Sequence, residues 1–200
     1  MTDPIRFYFD FASPYAYFAA HQIDALGDEF GRAVEWRPVL VWAILKAQGI
    51  AAPMDSPARR AYILRDMQRS AAFFGLPYRE PVRLPLSSHL AARLYHAVAA
   101  EDSDRGADLA DRLFRVFFVD HRDISEEATL TAIAAEAGIP GDTAREAMQG
   151  SAGRARLEQA VADAVADGVI GSPHFVVDGE GFFGADRLPQ LRWHLARRGP

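Results

Sequence analysis

Ile5-Arg6-Phe7-Tyr8-Phe9-Asp10-Phe11-Ala12-Ser13-Pro14-Tyr15 decides the fold, because a strand and a helix meet inside it. The run from Ile5 to Phe11 is rich in aromatic residues and too short for a helix, so it reads as a strand. Ser13-Pro14 reads as a helix start. Serine is a favoured N-cap whose oxygen accepts from first-turn amides, and proline at the first helical position has no amide proton to leave unpaired. Ser13 therefore stands where free backbone donors and the positive end of a helix dipole converge, a place that stabilises phosphate, carboxylate or thiolate. Capping alone would also account for a serine there.

Outward from this junction the pattern alternates between strand and helix at both ends of the chain. From Pro14 to about Phe30, the residues Tyr17, Phe18, His21, Ile23, Ala25 and Leu26 recur at three- and four-residue spacings, which predicts an amphipathic helix. Val34 to Val39 reads as a second strand. Between about Val41 and Gly168 the pattern is helical, punctuated at Gly49, Pro53, Pro57, Gly75-Leu76-Pro77, Pro81, Pro85, Gly138-Ile139-Pro140 and Gly150. Leu157, Ala160, Val161, Ala164 and Val165 form a core stripe on one of these helices, with Gly168 as its stop. Pro173 to Asp178 predicts a strand, Asp178-Gly179-Glu180-Gly181 a hairpin turn before Phe182-Phe183, and about Asp186 to Arg197 a last helix. The order predicts an α/β chain: a thioredoxin-like β-α-β / β-β-α sheet formed by residues 1–40 plus 168–200, with a large all-helical insertion over 41–167.

Composition narrows the chemistry. Two hundred residues, half of them apolar and a quarter charged, suit one well-packed domain or one domain carrying an inserted subdomain. The net charge of −5, with arginines scattered rather than clustered, gives no electrostatic footprint for nucleic acid. No apolar stretch approaches the roughly 20 residues that cross a bilayer. Met1-Thr2-Asp3-Pro4 lacks the basic segment and apolar core of a signal peptide, so a soluble, cytoplasmic protein is expected. The chain has no cysteine, which excludes disulfides, thiolate metal sites and dithiol redox chemistry by the protein itself; any sulfur chemistry must use a thiol from elsewhere. His21, His89, His96, His121 and His194 form no two-histidine helix motif with a carboxylate, so no metal is predicted. Ser13 lacks the Gly-x-Ser-x-Gly elbow of a hydrolase.

The second informative stretch is Asp167-Gly168-Val169-Ile170-Gly171-Ser172-Pro173-His174-Phe175-Val176-Val177-Asp178-Gly179. A proline opening an apolar strand forfeits a ladder donor, so it belongs at the first position or an edge. A cis Ser172-Pro173 bond would hold the Ser172 backbone open for a ligand amide, whereas a trans proline would only end a loop. His174 could act as a base near Ser13 or recognise an acidic ligand. The reading taken is a hydrogen-bonded core histidine that strand alternation turns away from the site. Asp10 reads as a structural partner, and Asp186 could cap the last helix.

Phe7 to Tyr17, Arg37-Pro38-Val39-Leu40, Gly168 to Gly179 and Phe182-Phe183-Gly184-Ala185-Asp186-Arg187-Leu188, in this order and spacing, resemble the 2-hydroxychromene-2-carboxylate isomerase family. That family stands with the kappa-class glutathione transferases in the DsbA-like branch of thioredoxin folds. Ala43 to Gly49, Arg60 to Asp66 and the helix start between Pro85 and Arg93 also fit. The resemblance implies glutathione as cofactor, a small-molecule substrate and a homodimer. It implies that Ser13 holds the glutathione sulfur as a thiolate and is the catalytic residue, and that Ser172 before Pro173 pairs with the cysteinyl unit. Ala185 and Asp186 would anchor the γ-glutamyl end, and Lys46 would lie close to the substrate. The implied activity is a glutathione-dependent cis-trans isomerisation of 2-hydroxychromene-2-carboxylate or a similar conjugated aromatic acid. The alternative is a non-catalytic or glutathione-transferase-like ligand-binding protein on the same scaffold. Three positions depart from the family: Ile50 and Ser87 stand where it usually has asparagines, and Ser172-Pro173-His174 replaces its Val-Pro-Thr.

Overall fold

The computed structural model of the chain describes residues 3–81 and 83–198. Among them a four-stranded sheet runs in the order β2-β1-β3-β4, built from β1 (Ile5–Phe9), β2 (Val34–Pro38), β3 (His174–Val177) and β4 (Glu180–Phe183). β1 pairs parallel with β2, Phe7 facing Trp36, and antiparallel with β3, Phe7 facing Phe175. The crossover from β1 to β2 is α1 (Pro14–Glu29), as parallel neighbours require.

The central strands are largely buried on both faces, which is why the aromatic residues of β1 stand at successive positions, Phe7, Tyr8 and Phe9, rather than at alternate ones. Ile5, Phe7, Phe9, Phe175 and Val177 enter the main core, where the Phe7 ring stacks on Phe9 at 4.8 Å and on Phe175 at 5.3 Å. Tyr8 and Val176 point to the opposite face. They pack there with Val39, Val169, Ile44 of α2 (Val41–Ala47) and Ala164 of α8 (Ser151–Ala166). The expected stripe on α8 thus covers a sheet face.

Between α2 and α8 lie α3 (Pro57–Phe74), α4 (His89–Ala99), α5 (Ser103–Phe118), α6 (Glu127–Glu136) and α7 (Gly141–Gln149). α4 is fastened to the end of β2: Tyr95 donates to the Trp36 carbonyl at 3.1 Å and His96 Nε2 lies 2.8 Å from the Pro38 carbonyl. The β3–β4 hairpin turns on Asp178 and Gly179 alone, with φ of 51° and 78°. Both values are positive, as a two-residue turn matched to strand twist demands, so Glu180 and Gly181 belong to β4 rather than to the turn. The last helix also starts later than the sequence suggests. Ala185–Arg187 forms a 3₁₀ turn and α9 is Leu188–Arg198, with Pro189 in its first turn, where a missing amide proton costs nothing. No helix among the described residues is long and apolar enough to cross a membrane.

Candidate functional site

Ser13 is the N-cap of α1, in extended backbone at φ −92° and ψ 113°. Its Oγ accepts from the Ala16 amide at 3.3 Å and donates to the Ser172 carbonyl at 3.0 Å. The Ser172-Pro173 peptide bond is cis. Ser172 in turn takes the Asp10 amide on its Oγ at 2.8 Å, while the Ser13 amide donates to the Asp10 carbonyl at 2.9 Å. The two serines named from sequence, 159 residues apart, are therefore in direct contact, each half-buried and each held by the main chain of Asp10.

The Asp10 side chain is buried at 3 % exposure. Its Oδ1 accepts from the Ala12 amide at 2.9 Å and the Ser88 hydroxyl at 2.6 Å, and its Oδ2 from the Val41 amide at 2.9 Å. Burial raises its pKa, and the bonds from Ser88, Ala12 and Val41 oppose that rise. The structural role read for Asp10 holds, but its partners lie 31 and 78 residues away and no local pattern names them. The Ser-Ser pair ahead of α4 was the available signal. Ser87, the residue singled out there, is exposed and bonded to His89 Nδ1 at 3.0 Å, whereas its neighbour Ser88 is the one turned into the site.

Ala185 and Asp186 reach the same neighbourhood through the backbone, since the Gly184 amide donates to the Pro173 carbonyl at 3.0 Å just before the 3₁₀ turn. Ala185 is buried; Asp186 is exposed, with its carboxylate 3.5 Å from Arg187. Asp186 lies inside the 3₁₀ turn rather than ahead of it: the residue at that turn's cap position is Gly184. Lys46 is exposed on the last turn of α2, and among the described residues it has no hydrogen-bond or ion-pair partner. Its connection to the site is indirect, through the bond between the first amide of α2 and Asp10.

His174 lies on the far face of the sheet. In register it faces Tyr8 on β1 and Phe183 on β4, whose ring it stacks on at 6.3 Å. It is buried as expected, yet its Nδ1 has no hydrogen-bond partner among the described residues, which corrects the expectation of a satisfied core histidine. Burial lowers its pKa to about 4, with Asp167 opposing the shift. Asp167 also accepts from the Tyr8 hydroxyl at 2.6 Å, and burial followed by that bond pushes Tyr8 up to about 12. Neither group can exchange protons with Ser13 across the sheet.

A cleft of about 790 Å³ is lined by Tyr17, His21, Asp111, Arg112 and Arg115 between α1 and α5, and Ser13 does not line it. What the Ser13 end of the molecule offers is a hydroxyl donor, first-turn amides of a 16-residue helix and a half-exposed backbone beside a cis proline. That donor set suits an anion carried on a peptide-like ligand. Among the described residues no His, Cys, Asp or Glu side chains gather in threes as metal ligands.

Residues 4–196 match the family described as the DSBA-like thioredoxin domain. The chain is 29% identical, over 98% of its length and 99% of the relative's, to 2-hydroxychromene-2-carboxylate isomerase from Sphingobium xenophagum. It is 24% identical to glutathione S-transferase kappa 2 from Caenorhabditis elegans, covering 98% of this chain and 94% of that protein. Among solved structures, a 2-hydroxychromene-2-carboxylate isomerase superposes with a TM-score of 0.86 at 21% identity, covering 97% of this chain and 95% of that one.

Proposed function

The chain belongs to the DsbA-like thioredoxin domain family, and from that premise we propose that it is a glutathione-dependent cis-trans isomerase of 2-hydroxychromene-2-carboxylate or a similar conjugated aromatic acid. The observation that carries this reading is the Ser13 hydroxyl at the N-terminus of α1, in contact with the Ser172 carbonyl beside a cis proline. The relatives are isomerases and transferases, and the absence of cysteine leaves no redox thiol in the chain, so the sulfur must come from the ligand.

Bound there, glutathione would supply a thiolate able to add reversibly to a conjugated double bond and leave after rotation about the resulting single bond, with no net change in protons. The residues of the chain do the rest. A free thiol of pKa about 8.5 is only a few per cent ionised near neutral pH, so the Ser13 O–H, turning from the Ser172 carbonyl to the sulfur, and the α1 N-terminus must favour the anion. The Ser172 backbone would fix the cysteinyl unit, Ala185 and Asp186 the γ-glutamyl end. Lys46, whose ammonium has no partner among the described residues, would pair with the substrate carboxylate. On this reading residues 1–40 with 168–200 carry the thiol, the insertion over 41–167 carries the substrate end, and the working unit is a homodimer in the cytoplasm.

Calorimetry of glutathione binding to the wild type and Ser13→Ala in two buffers of different ionisation enthalpy tests the proposal, together with turnover of 2-hydroxychromene-2-carboxylate. Proton release on binding that needs Ser13, and turnover that is lost with it, are expected. No binding to either protein overturns the reading. Binding and proton release without isomerisation would instead favour a transferase or ligand-binding role, the second reading that the kappa-class relative supports.

A further inference from the structure

We propose that Asp10 is a positioning residue for Ser13: by drawing Ala12, Val41 and Ser88 onto one buried carboxylate, it fixes the main chain that carries Ser13 beside Ser172, and so sets how strongly a thiolate is held once the Ser13 hydroxyl turns from the Ser172 carbonyl to donate to it. The proposal rests on the thiolate reading above. Among the described residues Asp10 is held by five hydrogen bonds, and every one of them leads to the site or to its walls. Its amide and carbonyl hold Ser172 and Ser13; its carboxylate takes two backbone amides and one hydroxyl.

The cost of this arrangement is visible elsewhere. A buried carboxylate normally pairs with a cation, yet among the described residues Asp10 has none, only neutral donors. α2 has Leu40 at its cap position, with no side chain able to serve its first amides, and Asp10 takes the Val41 amide in its stead. Ser88 holds the cap position of α4 but gives its hydroxyl to Asp10 rather than to its own helix. Two helices of the insertion therefore forgo local caps to reach the same carboxylate that holds the loop ahead of Ser13. Pre-set donors act on a developing or bound anion only while they stay in place, and displacement by about 1 Å is enough to lose much of the effect.

Ser88→Ala is the cleanest test, because it removes one of the three donors and creates no new polar group. Asp10→Asn is the second: its amide nitrogen must face the Ala12 or the Val41 N–H, since only Ser88 can turn round to accept. The thiol pKa of bound glutathione, followed by thiolate ultraviolet absorbance, should rise by about one unit in Ser88→Ala, which is tenfold less thiolate at a pH below the pKa. Asp10→Asn should raise it further, and should that variant not fold, Ser88→Ala carries the test. Amide exchange at Ser13 and Ala16 should quicken while that of Phe7 and Phe114 stays as in the wild type, which separates a local role from general loosening. If the wild type ionises glutathione and Ser88→Ala does so equally well, the proposal is overturned. If the wild type does not bind glutathione, the thiolate reading fails on its own, and exchange decides for Asp10: quickening at Ser13 and Ala16 upholds the positioning, and unchanged rates overturn it.

Discussion

His174→Phe should flatten the acid limb of the stability curve. His174 is buried at 4 % exposure on the Tyr8 face of the sheet, stacked on Phe183, with Nδ1 unpaired. Burial holds its pKa at about 4 against an ordinary 6.5. The folded protein thus refuses a proton that the unfolded chain accepts. The stabilisation is complete above the ordinary value and is lost as the pH falls towards the folded one. The full loss across that window is about 3.4 kcal/mol, and near pH 5 it already amounts to about 2 kcal/mol. Asp10, Asp24 and Asp111 are raised by burial and act with the opposite sign, and His96 is lowered and acts with the same sign. All four survive in the variant, so the difference between the two curves isolates His174. Urea unfolding at about pH 7 and pH 5 measures it. The wild type should lose about 2 kcal/mol more than His174→Phe over that interval. The variant should be no weaker at neutral pH, because it deletes a buried unpaired nitrogen and keeps a ring against Phe183. Curves that run parallel within about 0.5 kcal/mol would refute the reasoning, since that is close to the extrapolation error.

Ser13→Ala should cost about 1–2 kcal/mol in urea unfolding, apart from any effect on a ligand, because it removes the cap on the Ala16 amide and the donor to the Ser172 carbonyl. Ser13→Thr, which keeps the hydroxyl, should recover most of this. Gly171→Ala should destabilise by about 1–3 kcal/mol, since a Cβ there would clash with the Phe183 ring. Phe183 is 47 % exposed and dispensable to the main core, so Phe183→Ala should relieve the clash, and the double mutant should be more stable than the two single effects predict.

The junction at Ser13-Pro14 was legible because everything that makes it is local: a short aromatic run, a hydroxyl cap and a proline at the first helical position. The Asp-Gly turn was legible for the same reason, although two residues suffice where four were read. What stayed hidden depends on contacts between distant segments. The 3₁₀ turn over Ala185–Arg187 displaces the start of the last helix to Leu188, and it is tied by Gly184 to the Pro173 carbonyl, which no 3.6-residue pattern encodes. Ser87 is named by the family position it occupies, and only tertiary packing tells that the adjacent Ser88 is the serine that faces inward. Asp10 reads as a structural partner from its place on the first strand, but two of its donors come from the starts of α2 and α4. The resemblance named the serines; the geometry adds what holds them.

Ile50 offers a test of the site from its open side. It follows Gly49, whose φ of 68° ends α2, and its amide closes the helix on the Leu45 carbonyl at 2.9 Å, so its backbone is fixed while its side chain is 38 % exposed. The isomerase family usually carries an asparagine here. If that side chain lies over the bound ligand, Ile50→Asn restores an amide donor and acceptor on a backbone that needs no rearrangement. A single neutral hydrogen bond contributes about 1 kcal/mol net, so affinity for glutathione should rise about fivefold. The exposed isoleucine gives up little apolar burial, so stability should change by less than about 1 kcal/mol. Calorimetric titration reads the first quantity and thermal unfolding the second. Tighter binding would mean that the ligand lies across the end of α2, within reach of Lys46 one turn earlier. Unchanged or weaker binding in a variant of unchanged stability would mean that the ligand leaves Ser13 in another direction, and the carboxylate partner assigned to Lys46 would have to be sought instead at the start of α4, where Ser87 is exposed and bonded to His89.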